Sequence, residues 1–122
     1  MPKSRKALLV VARHAPYGSQ LPRASLDLVL AAAAFEQDVT FLFLGDGVQQ
    51  LRAEQDGQTL GTKSLARQLA SLPLYDVDKV YADAQAAERL GVDTAAAPLL
   101  VEPLDTAGIR ALFAAADQVL GF

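Results

Sequence analysis

The 122-residue chain carries a net charge of −3, and 52% of its residues are hydrophobic and 20% charged. This composition excludes an intrinsically disordered chain, and the length favours one domain over residues 1–122. The acidic balance argues against a nucleic-acid-binding domain of the usual basic kind. Because the sequence contains no cysteine, it excludes disulfides, thiolate nucleophiles and cysteine-ligated metals.

The first predicted element is a strand over residues 7–12, a short continuous apolar run typical of a strand buried on both faces of a parallel sheet. Lys3, Arg5 and Lys6 precede it, and we expect residues 1–5 to form a flexible basic tail. No apolar run approaches the ~20 residues of a membrane span, so we expect a cytoplasmic protein without membrane contact.

A loop over residues 13–22, marked by Pro and Gly, leads into a predicted helix over residues 23–37. This helix has almost no polar face, so it must be covered on both sides. The protein's own sheet can cover one side of the helix, and a second layer or another subunit must cover the other. A second strand is predicted over residues 39–44, which are β-branched and aromatic.

The rest of the chain repeats this alternation after a Gly-Asp-Gly turn, a helical turn and a polar loop that together span residues 45–61. We predict helices at residues 62–72, 83–90 and about 105–116, and strands at 77–82, 98–102 and 118–122. The alternation predicts an α/β fold, with an open, mostly parallel sheet of about five strands and helices on both faces.

His14 is the first candidate for chemistry, because it follows the first strand, where open α/β sheets place ligands. Ser19 lies five residues further on, so a Ser–His pair is conceivable. The sequence supplies no third, orienting group and no nucleophile elbow, which favours an exposed loop histidine. One histidine and no cysteine also disfavour a metal site.

The second candidate is Gly45-Asp46-Gly47, which also follows a strand. Glycines at this position permit either a tight turn or a close approach to an anion. The segment is neither a dinucleotide-binding fingerprint nor a P-loop, so the turn is favoured. Asp27 is most simply a carboxylate stabilised by the dipole at the start of its helix.

Several segments together resemble a known family. They are Ala15-Pro16-Tyr17-Gly18, the Ala-rich helix with Asp27, the stretch through Gly45-Asp46-Gly47, and Leu74-Tyr75-Asp76. In this order and spacing they resemble the DsrE/F-like sulfur-relay proteins, in particular subunits of the TusC/DsrF type. The resemblance spans nearly the whole chain.

The resemblance implies a subunit of a TusBCD-like complex, which passes persulfide sulfur toward 2-thiolation of the tRNA wobble uridine. It implies TusB-like and TusD-like partners in a dimer of heterotrimers, and indirect contact with TusA-like and TusE-like carriers. The persulfide cysteine belongs to the D-type subunit, so a chain without cysteine matches a non-catalytic structural subunit without cofactor, metal or direct nucleic-acid contact. The alternatives are a DsrF-type subunit in dissimilatory sulfur oxidation, or a stand-alone ligand-binding domain or enzyme that uses His14.

The helix over residues 23–37 has more apolar surface than one small sheet can cover, which predicts a partner interface there. The candidate interface residues are Leu26, Val29, Leu30, Ala33 and Phe35. The alternative is that the final helix of the same chain packs on it.

Overall fold

The fold is seen in a computed structural model that describes residues 6–16, 20–52 and 62–122, with the backbone alone for residues 62–66. The predicted tail over residues 1–5 lies outside these ranges, as do Tyr17, Gly18 and Ser19. Five parallel strands form one sheet in the order β4–β3–β2–β1–β5. They are β1 Ala7–Ala12, β2 Asp38–Phe43, β3 Val80–Asp83, β4 Glu102–Leu104 and β5 Gln118–Gly121. The predicted α/β class and parallel sheet are confirmed.

Within the described ranges, four α-helices alternate with these strands: α1 Leu21–Ala34, α2 Thr62–Ser71, α3 Ala84–Leu90 and α4 Thr106–Ala115. Short 3₁₀ segments lie at Gly45–Leu51, Leu72–Tyr75 and Thr94–Ala96. The predicted caps are present, since the carboxylates of Asp83 and Asp105 accept hydrogen bonds from the backbone at the starts of α3 and α4. None of the described helices is long and apolar enough to cross a membrane.

Several element boundaries differ from the prediction, for local reasons. β3 begins at Val80 rather than 77, because the backbone N–H of Val77 donates instead to Leu72 O at 3.2 Å and closes the preceding 3₁₀ segment. β4 occupies Glu102–Leu104 rather than 98–102, since its register places Glu102 opposite Tyr81. α1 ends at Ala34 rather than 37, because Glu36 takes a left-handed conformation with φ 59°.

The sheet has two unequal faces, because alternate residues of each strand point to opposite sides. One face carries Val10, Phe41, Phe43 and Val80 and packs against α1, α2 and α3. Its aromatic rings at 41 and 43 have centroids 4.5 Å apart, within a core of twenty buried residues. We call it the helix-rich face.

The opposite face is formed by Leu9, Val11, Leu42, Leu44 and Tyr81. Ile109 and Leu112 of α4 pack on it, together with Ala116, which follows the helix. We call it the α4 face. Because α4 lies there, it does not pack on α1 from the same chain, which was one predicted alternative. Instead, α2 and the 3₁₀ segment Leu72–Tyr75 contact α1 in addition to the sheet.

Candidate functional site

The Gly45-Asp46-Gly47 segment is a structural junction at the carboxyl edge of the sheet. A Cβ at Gly47 would lie 1.9 Å from Ala12 O, so only glycine fits against the end of β1. Gly45 has φ +56°, and its N–H donates to Asp83 Oδ2 at 3.2 Å. The segment therefore joins the ends of three strands, and its glycines are needed for a turn and a close backbone approach.

His14 lies beside this junction but has no catalytic partner among the described residues. Its backbone carbonyl accepts a hydrogen bond from Gln50 Nε2 at 2.9 Å, whereas its side chain is exposed and makes no hydrogen bond there. Asp46 is exposed as well. The described part of this edge thus holds no triad or acid–base pair around the imidazole.

The family-motif positions have different structural settings. Asp27 is exposed in the second turn of α1, whose first turn has no acidic residue, so the prediction that it stabilises the start of the helix is wrong. Asp76 ends the Leu72–Tyr75 segment with φ 64°. Leu74 is 84% exposed and Tyr75 53% exposed, while Pro16 is half-buried.

The candidate interface residues on α1 divide by burial. Leu26 and Val29 are fully buried within this chain's own core, and Leu30 and Ala33 pack against the same core from its margin. Phe35, just after the helix, is 79% exposed. Of the five, Phe35 is thus the side chain that a partner could reach without opening the core.

A groove of about 360 Å³ lies between the end of α1 and the start of β2, at the amino edge of the sheet. Tyr75 and Asp78 line it together with Lys79 and Asp38. Lys79 Nζ donates to Asp38 Oδ1 at 2.6 Å, and this hydrogen bond raises the pKa of Lys79 above its ordinary value of 10.5. Its one lysine is already paired with Asp38, and four of its lining residues are acidic, so this groove offers neither an unpaired lysine nor a mainly apolar surface.

A second groove of about 420 Å³ opens on the α4 face, where the carboxyl ends of β1 and β2 meet α4 and β5. Its lining is Val11, Arg13, Leu44, Phe113, Val119 and Gly121. Phe113 and Val119 are 39% and 41% exposed, respectively. The prediction did not include this groove, because its residues come from four separate elements whose apposition depends on the strand order.

Three comparisons with known proteins place the chain. The model of the DsrE/DsrF-like family matches residues 6–122. The chain belongs to the DsrE/DsrF-like family. This confirms the resemblance seen in the ordered motifs.

Individual relatives match along nearly their whole length. The chain is 36% identical to the Protein TusC homolog of Pseudomonas aeruginosa, over 94% of this chain and 97% of that protein. It is 34% identical to the Intracellular sulfur oxidation protein DsrF of Allochromatium vinosum, over 96% of both chains. The crystal structure of the ychN protein from E. coli matches the fold with a TM-score of 0.80 and 26% identity, covering 96% of this chain and 99% of that one.

Proposed function

We propose that this chain is a non-catalytic structural subunit of a sulfur-relay complex that passes persulfide sulfur toward 2-thiolation of the tRNA wobble uridine. Its partners in this proposal are TusB-like and TusD-like subunits, assembled as a dimer of heterotrimers, and TusA-like and TusE-like carriers act before and after the complex. The observation that carries the proposal is similarity to a Protein TusC homolog over 94% of this chain, combined with the absence of cysteine.

The chemistry of sulfur transfer supports a structural role. A persulfide forms on, and is passed between, cysteine thiolates. None of the 122 residues can supply one, so sulfur must travel on another chain while this one shapes or stabilises that carrier. The single-chain enzyme alternative depends on His14, whose side chain has no acid, base or nucleophile bonded to it among the described residues.

The direct test is deletion of the gene followed by mass spectrometry of nucleosides from total tRNA. We expect wobble 2-thiouridine to fall strongly, and a plasmid-borne copy of the gene to restore it. Unchanged 2-thiouridine would contradict the proposed pathway.

A second pathway within the same family is favoured by the similarity to the Intracellular sulfur oxidation protein DsrF. In that case, deletion would leave tRNA thiolation intact and slow the oxidation of sulfur compounds. Measuring both products in the same deletion strain separates the two functions.

The role of His14 has its own test. His14→Ala is expected to leave complex assembly and thiolation within about threefold of the wild type, because the hydrogen bond from Gln50 uses the backbone carbonyl. A loss of about 100-fold, the scale of a general acid–base residue, would favour an enzyme.

A further inference from the structure

Among the described residues, the α4 face is the less completely covered side of the sheet. Parallel sheets are ordinarily buried on both faces. Here the second core consists of Leu9, Val11 and Leu42, and the helix above it has no buried residue along its ten positions. Arg110 is the one charged residue of that helix, so its outer surface is largely apolar.

The 420 Å³ groove lies on this less covered face. Val11 and Gly121 lie on adjacent paired strands at its floor, and Phe113 and Leu44 contribute apolar walls. Val119, on the edge strand β5, keeps 41% of its surface exposed. An apolar side chain seated here would bury these groups from water, the main favourable contribution to protein association.

Arg13 gives the groove a positive charge. Its guanidinium lies over Gly121, since a Cβ at Gly121 would be 3.5 Å from Arg13 Nε. It makes no hydrogen bond or ion pair within the described part of the chain, and it is the one charged group among the described lining residues. On a chain of net charge −3, this groove therefore selects for an acidic partner group.

We propose that this groove binds a segment of another subunit, which places an apolar side chain against Phe113 and Val119 and an Asp or Glu carboxylate on Arg13. The inference deepens the proposed function, on which it rests for the identity of the partner. A second copy of this chain fits less well, because a two-fold contact centred on the groove would bring two Arg13 guanidinium groups together without a carboxylate in the lining.

The test is site-specific photocrosslinking in the chain co-expressed with the TusB-like and TusD-like proteins of its genome. Benzoylphenylalanine replaces Phe113 in one variant and Phe35 in the matched control, which is an exposed phenylalanine away from the α4 face. We expect the probe at 113 to join to a peptide of another subunit, and the probe at 35 to give a much lower yield.

Several outcomes would overturn the groove assignment: crosslinks at 35 without any at 113, crosslinks at 113 only to this same chain, or crosslinks at neither position. In the first case a subunit is still captured, so the relay proposal stands while the groove fails. If the unmodified chain co-purifies with neither subunit, the proposed function itself fails.

The charge is tested by three substitutions in the same complex. Arg13→Glu should weaken binding at least about 25-fold, as for loss of a buried charge pair. Arg13→Lys should weaken it less, because the charge remains while the two-pronged hydrogen-bonding geometry is lost. Arg89→Glu is the control and should bind as the wild type does, because Arg89 is an exposed arginine at the end of α3, on the opposite side of the sheet. Equal binding by Arg13→Glu and Arg89→Glu, with unchanged melting temperatures, would refute the proposal.

Discussion

The two faces of the sheet share the same strands but differ greatly in their cover. The helix-rich face has three α-helices over it and twenty buried residues, including two phenylalanines in ring contact. In the part of the chain that the structure describes, the α4 face has one helix without a buried residue, over three buried strand residues. Since both faces are apolar, this difference in burial is the basis of our proposal that the helix-rich face holds the chain together while the α4 face binds a second chain.

The burial of α1 bears on the predicted partner interface, which stays a prediction. The apolar character of α1 suggested that it meets a partner, yet Leu26 and Val29 are taken up by the chain's own core. The exposed apolar surface with a cation beside it lies on the other side of the sheet, around Phe113 and Arg13. The apolar helix thus belongs to the thicker layer of this fold, and our proposal assigns assembly to the thinner layer.

The largest loss of stability is expected from a substitution in the core of the helix-rich face. Phe41→Ala removes a fully buried ring and should lower the free energy of unfolding by about 3–5 kcal/mol. Phe35→Ala, at an exposed phenylalanine, should change it by less than about 0.5 kcal/mol. Urea denaturation of both variants measures this, and similar losses would show that the core does not lie where the structure places it.

A substitution on the α4 face should lower the free energy of unfolding of the isolated chain by a smaller amount. Leu112 contacts the second core but is only half-buried, so Leu112→Ala should cost about 1–2 kcal/mol, below the usual range for a buried leucine. A loss as large as that of Phe41→Ala would mean that the two faces contribute equally, and the contrast between them would fail.

At the junction at the carboxyl edge, substitution of Asp83 should lower the free energy of unfolding by about 1 kcal/mol. Asp83 accepts from Ala86 N–H as the cap of α3 and from Gly45 N–H across the sheet. Asp83→Asn keeps an acceptor oxygen and should be milder than Asp83→Ala, which removes both hydrogen bonds. Thermal unfolding of the two variants distinguishes a capping role from a purely electrostatic one, for which they would be equally destabilised.

One substitution should stabilise the chain. Asp76 has φ 64° after the Leu72–Tyr75 segment, a conformation that glycine adopts without strain. Asp76→Gly should raise the free energy of unfolding by about 0.5–1 kcal/mol. Destabilisation in denaturant titrations would show that the Asp76 side chain contributes more than its backbone strain removes.

The smallest effect belongs to the Lys79–Asp38 pair, whose side chains are 50% and 37% exposed. Lys79→Met should cost about 0.2–1 kcal/mol, less at high salt. Because the folded pKa of Lys79 is raised, its stabilisation is complete below its ordinary pKa of 10.5 and is lost as pH rises through the folded value. From pH 9 upward, the free energy of unfolding of the wild type should therefore fall by an amount that the Lys79→Met variant does not lose. Identical pH profiles of the two proteins would contradict this role of the ion pair.

Local signals in the sequence predicted the fold well. The apolar runs located β1 and β2, and Asp83, Gly91 and Asp105 marked helix ends that the structure confirms. The edge strand β4 was misplaced, since its register depends on pairing with β3 rather than on its own residues. The groove could not be predicted, because it combines Arg13, Leu44 and Phe113 from distant segments that only the strand order brings together.

The central claim is that the α4 face is where another subunit binds. Hydrogen–deuterium exchange of the chain alone and in the complex with its co-purified subunits tests this most directly. We predict that assembly slows exchange over residues 106–121, which include α4 and β5, and leaves α1 nearly unchanged. Slower exchange at the end of α1 and over Leu72–Tyr75, with residues 106–121 unchanged, would contradict the account.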